Sequence, residues 1–162
     1  MYNRRMYKII FIFALLVLGF IGYSWYQNEY KNQSNKEFVN LTVGNDEVEA
    51  EVVRSFTAKT LGLSGRDGLA PNTGMLFVFT ETSNPEIWMK NMKFSIDIIF
   101  VSREGRVVAI FENATPESYF ETPKKMFRTL EGSRYVLEVP AGTVQDSRLG
   151  VGMTIEELAA FK

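Results

Sequence analysis

The chain has neither histidine nor cysteine in its 162 residues. Without histidine there is no Ser–His–Asp triad, no imidazole metal site and no ordinary general base near neutral pH. Without cysteine there are no disulfides, thiol nucleophiles, thiolate zinc sites or iron–sulfur clusters. Catalysis would have to run on carboxylates, hydroxyls, Lys, Arg or an oxygen-bound hard metal, and no cofactor or metal is called for. A basic surplus is absent too. Of 18 Lys and Arg, three precede residue 9, leaving 15 against 19 Asp and Glu, a net −4 for the remainder. A nucleic-acid binder shows the opposite balance or a concentrated basic stripe. The densest basic group, Lys124, Lys125 and Arg128, reads as a solvated loop.

What the chain does have is one long apolar run. Residues 1–8 form a basic N-terminus with Arg4, Arg5 and Lys8, and from Ile9 to Tyr23 only Gly19 and Gly22 are not hydrophobic. A bilayer core about 30 Å thick asks for ~20 apolar residues, and residues 9–26 are just long enough. Tyr23, Trp25 and Tyr26 stand where an aromatic belt meets headgroups, and the cationic flank places the N-terminus in the cytoplasm. The expectation is a single-pass signal anchor in contact with the lipid bilayer. Behind it come a polar tether, 27–37, and an extracytoplasmic domain, 38–162. A cleaved signal peptide is the alternative, with secretion as its outcome. The bulky residues at 23, 25 and 26 disfavour cleavage.

Past the tether, strand signals dominate. Val48, Ala50 and Val52 alternate with Glu47, Glu49 and Glu51, the period-two pattern of a half-buried strand. Phe38–Val43 is its expected partner across Gly44-Asn45-Asp46. Phe56–Leu63 reads as a short helix with Thr57 as N-cap. Further strands are expected at Met75–Thr80, Ile87–Asn91, Ile96–Val101, Arg106–Phe111 and Tyr135–Val139, with a hairpin turn at Arg103-Glu104-Gly105. Residues 115–129 read as a long loop, 143–149 as a helical turn, Met153–Ile155 as a return to the sheet and 156–162 as a short helix. The fold class is mainly β (α+β): a compact barrel-like or sandwich domain of short strands with small helical insertions, preceded by one transmembrane helix.

Three stretches are less generic. Leu61-Gly62-Leu63-Ser64-Gly65-Arg66 precedes Gly74-Met75-Leu76-Phe77-Val78-Phe79; Trp88-Met89-Lys90-Asn91-Met92 precedes Ile96-Asp97-Ile98-Ile99-Phe100; Tyr135 to Gly142 precedes Gly150-Val151-Gly152. In order and spacing this resembles the domain of unknown function 192 family (DUF192) from about Val52 to Ile155. The resemblance implies a single small β-rich, barrel-like domain with no established activity.

Within those motifs five residues form the candidate ligand-binding set: Arg66, Trp88, Lys90, Asn91 and Asp97. Arg66 offers a planar fork to an anion, or else an ion pair to Asp97 or Glu138. Trp88 beside Lys90 and Asn91 suits a small-molecule or sugar pocket, or else core packing with Lys90 reaching solvent. Asp97 interrupts an apolar run, and a buried carboxylate needs partners. The expected function is a binding or interaction module for a small anionic or sugar-like ligand or an envelope partner protein. The alternative is a metal-independent hydrolase or lyase on envelope material using Asp97 or Glu112 as acid or base. Glu112 with Glu138 is a weaker carboxylate pair, and Asn40-Leu41-Thr42 and Asn113-Ala114-Thr115 match the glycosylation sequon.

Overall fold

The N-terminal apolar run lies in one helix, α1 (Arg4–Gln33). The computed structural model of the chain describes residues 4–33, 36–121 and 125–161, with side chains of α1 described over 10–24. Within that span the large apolar residues from Ile10 to Ile21 are exposed. Among the described residues no helix is long and apolar enough to cross a membrane. The expected span 9–26 has Ile9, Trp25 and Tyr26 among the side chains outside the described set, as are the side chains of the basic N-terminus. The first part of the expected tether, up to Gln33, is helical.

Residues 37–162 form a second unit by themselves. Its elements are β1 (Glu37–Val43), β2 (Asp46–Val53), α2 (Phe56–Leu61), β3 (Thr73–Ser83), β4 (Ile96–Val101), β5 (Val107–Ala114), a 3-10 helix (Pro116–Phe120), β6 (Ser133–Pro140), α3 (Thr143–Ser147) and α4 (Glu156–Ala160). The strands make one six-stranded sheet in the order β1-β2-β3-β6-β4-β5. Every pairing is antiparallel except β2 with β3, whose parallel run is bridged by the crossover that carries α2.

Local chemistry explains the elements. Val48 and Ala50 are buried while Glu47 and Glu49 are exposed, so the expected alternation holds through the middle of β2. The central strands β4 and β6 are apolar on both sides because both faces of the sheet are covered. One face carries Leu76, Ile99, Val101, Tyr135, Leu137 and Val139 under α3 and α4. The other carries Met75, Phe77, Ile96, Ile98, Phe100 and Val136 under the loops bearing Leu63, Ile87, Met89 and Phe127. α2 is capped by Ser55, whose Oγ accepts from the Ala58 N–H at 3.2 Å, two residues earlier than the Thr57 cap expected.

Two expectations are corrected. The sheet is not closed, so the domain is not a barrel. The outer edge of β5 is met by the C-terminal segment: Val107 N–H donates to Met153 O, Gly152 N–H to Val107 O and Ile155 N–H to Gly105 O, each at 2.8 Å. At the opposite edge, Thr42 of β1 donates through both its N–H and its hydroxyl to Glu157 Oε1 of α4. Residues 150–157 thus run from one edge strand to the other and cover polar backbone that a closing β1–β5 ladder would otherwise pair. Met153–Ile155 returns to the sheet as expected, through a single bridge between Arg106 and Thr154. The second correction is 87–91, which is not a strand. It contributes one bridge, Ile87 to Phe127, and then turns away at Asn91, whose φ is +56°.

Candidate functional site

The five candidate residues do not assemble into one cluster. Residues of a strand alternate between faces, and Asp97 lies on the α3 side of the sheet while its neighbours Ile96 and Ile98 lie on the other. Its carboxylate is fully buried. Oδ1 accepts from Asn113 N–H at 2.8 Å, and Oδ2 accepts from Gly142 N–H and Val144 N–H, each at 3.0 Å. Three backbone donors, two of them at the start of α3, account for this acid completely in structural terms. It pairs with none of Arg66, Lys90 or Asn91. Glu112, the other acid named for the hydrolytic alternative, is exposed on β5.

Arg66 also takes a partner that was not expected. Its guanidinium bonds Glu51 of β2 at 2.9 Å rather than Asp97 or Glu138. Lys90 and Asn91 act through their carbonyls. Ser64 Oγ donates to Lys90 O at 2.8 Å, and Gly65 N–H donates to Asn91 O at 3.0 Å. These bonds clamp loop 62–66 onto loop 88–92. Trp88, 40 % exposed, stands on the far side of that clamp at the rim of a pocket.

The pocket has a volume of about 250 Å³. α2 supplies Phe56, Lys59, Thr60 and Leu61; β3 supplies Phe77 and Phe79; the segment before β4 supplies Glu86, Ile87, Trp88 and Met92. Leu63, Ser64 and Ile96 complete the walls, and Glu138 of β6 also lines it. The strand register explains the placing of this acid. Glu138 stands opposite Met75 on one side and Ile98 on the other, and Glu51 stands opposite Met75 one strand further out. Glu51, Met75, Glu138 and Ile98 therefore share one row across the sheet, on the pocket side.

Glu138 is 5 % exposed, and its carboxyl makes no hydrogen bond or ion pair among the described residues. Burial pushes its pKa up to about 8, with the charge of Arg66 pulling the other way. The acid is therefore largely neutral at pH 7. Lys59 is held in the pocket wall, where its Nζ donates to Val78 O at 2.9 Å and lies 4.5 Å from the centre of the Phe79 ring. Burial depresses its pKa. At the rim, Glu86 is paired to Arg128 at 3.1 Å. The arrangement is a chiefly apolar, aromatic pocket whose wall holds the Glu138 carboxyl, without a hydrogen bond or ion pair among the described residues. Among the described residues no group of three or more acidic side chains is placed to hold a metal ion.

Sequence reasoning passed over Glu138 except as a partner for Arg66 or Glu112. The signal was present: in Tyr135-Val136-Leu137-Glu138-Val139 it is the single charged residue of an apolar run, the same property that singled out Asp97.

Comparison with known proteins follows the fold. No curated protein matches the chain. A Sinorhizobium meliloti protein, described as a candidate transcription regulator, matches with a TM-score of 0.66 and 33% identity over 75% of this chain and 92% of its own. A Novosphingobium aromaticivorans protein of unknown function matches with a TM-score of 0.65 and 25% identity over 75% of this chain and 84% of its own. The profile of the DUF192 family, described as Uncharacterized ACR, matches residues 39–157, and the chain belongs to that family.

Proposed function

We propose that the domain is a binding module for a small, mostly apolar molecule seated in the pocket between α2, β3 and residues 86–92. We further propose that α1 anchors it to a membrane, with the domain on the extracytoplasmic side. One observation carries the binding reading: a cavity of about 250 Å³ with Phe56, Phe77, Phe79 and Trp88 in its walls and the buried Glu138 carboxyl, which makes no hydrogen bond or ion pair among the described residues. Binding sites are concave, chiefly apolar and furnished with few polar groups. An engineered cavity of roughly 150 Å³ already takes benzene, so this one suits a somewhat larger molecule. An anionic ligand is disfavoured, since the buried Glu138 in the lining is itself an acid.

The anchor reading rests on the basic start, on the apolar run 9–23 and on the exposure of its described side chains. The binding reading is checked by a survey of small aromatic and aliphatic compounds against residues 37–162, by ligand-observed NMR and thermal shift. Hits are expected to weaken about tenfold in Trp88→Ala, the loss of one aromatic wall. A survey with no hit would overturn the reading.

A further inference from the structure

We infer that the pocket selects an uncharged ligand carrying a carbonyl group of the amide kind, which faces the Glu138 carboxyl while its apolar body lies against Phe77 and Trp88. The inference rests on the binding reading above and names the ligand class for that site. The argument begins with what surrounds Glu138. Its row neighbours on β3 and β4 are Met75 and Ile98, which offer no charge and no hydrogen bond. Arg66, beyond β3, is committed to Glu51. Lys59, from α2, is committed to Val78 O and the Phe79 ring. Glu86, from the segment before β4, is committed to Arg128.

A carboxyl enclosed in this way without an ion pair stays protonated. Protonated, it offers one O–H donor and one carbonyl acceptor side by side. An amide or lactam presents the matching acceptor and donor in the same plane. A carboxylate ligand would place two acceptors against that face. An ammonium would require Glu138 to ionise, in a wall that already contains the cation of Lys59. The walls fill the rest of the requirement, because Phe77, Trp88 and Met92 give a flat apolar body its contact surface.

The test is calorimetric titration of residues 37–162, and of the full chain in nanodiscs, with benzamide, toluene, benzylamine and benzoate. Residues 37–162 are a compact unit that contains both cores, and the Sinorhizobium chain is matched over 92% of its length. Benzamide is expected to bind at least about tenfold more tightly than toluene, the equivalent of one good hydrogen bond. Benzylamine and benzoate are expected to bind more weakly than toluene. Because the ligand selects protonated Glu138, benzamide affinity should hold below pH 8 and fall as pH rises through about 8. Glu138→Gln keeps a donor and an acceptor in place. It should hold benzamide within about threefold of the parent and remove the pH dependence, while Glu138→Leu should bind benzamide no better than toluene. Tighter binding of benzylamine that grows with pH would overturn the inference. So would equal binding of benzamide and toluene, which would still leave the pocket reading standing. Failure of all four probes would remove both.

Discussion

Asp97 and Glu138 are buried acids on the paired strands β4 and β6, one residue out of register and on opposite faces of the sheet. Asp97 receives three backbone N–H groups; Glu138 receives none among the described residues. Their substitutions should therefore behave in opposite ways. Asp97→Ala orphans donors at the start of α3 and at Asn113, and should cost about 3 kcal/mol in denaturant unfolding with no change in probe binding. Glu138→Gln should stabilise. Because the folded pKa of Glu138 is raised from 4.5 to about 8, the folded state holds a proton that the unfolded state releases in that interval. Its contribution is complete below pH 4.5 and is lost as pH rises toward 8. Thermal melts of Glu138→Gln should match the parent near pH 4 and lie at least about 5 °C higher at pH 8. Both acids are visible in the sequence as interruptions of apolar runs. Their partners are not, since the donors to Asp97 come from residues 113, 142 and 144.

At the scale of elements, most strands were legible because period-two burial and turn residues mark them directly. The hairpin turn at 103–105 is one case, with Gly105 at φ +80°. A Cβ on Gly105 would also lie 2.6 Å from Ile155 O, where the C-terminal segment crosses. Gly105→Ala should cost at least about 1 kcal/mol and should speed amide exchange at Val107 and Ile155, both of which bond across that contact. The segment 87–91 misled because Ile87, Trp88 and Met89 have strand-like composition, yet Asn91 is left-handed and the following residues lead back into β4. Alternation there still sorts Ile87 and Met89 inward from Trp88 and Lys90, but as a loop packed on the sheet. α4 is held by its contacts: Leu158 is fully buried, and the Tyr135 hydroxyl donates to Phe161 O at 2.8 Å. Leu158→Ala should cost about 2–5 kcal/mol by equilibrium unfolding.

For the whole molecule, the anchor proposal predicts that the full chain stays with membranes through alkaline carbonate washing, and that removal of residues 1–36 releases it. External protease should reach the domain in intact spheroplasts. Release of the full chain by carbonate would refute the anchor. Composition and order along the chain suffice for what the sequence determined by itself: the absence of histidine and cysteine chemistry, the apolar N-terminal run, the positions of most strands and the burial of Asp97. These are local properties, readable from spacing and from the cost of burying a charge. The tertiary structure alone decided that the sheet stays open, with residues 150–157 running between its edges. It alone paired Arg66 with Glu51, spent Asp97 on α3 and left Glu138 facing a cavity. Strand periodicity tells which residues share a face; it does not tell which distant backbone groups arrive at that face, or where the covering loops leave a space unfilled.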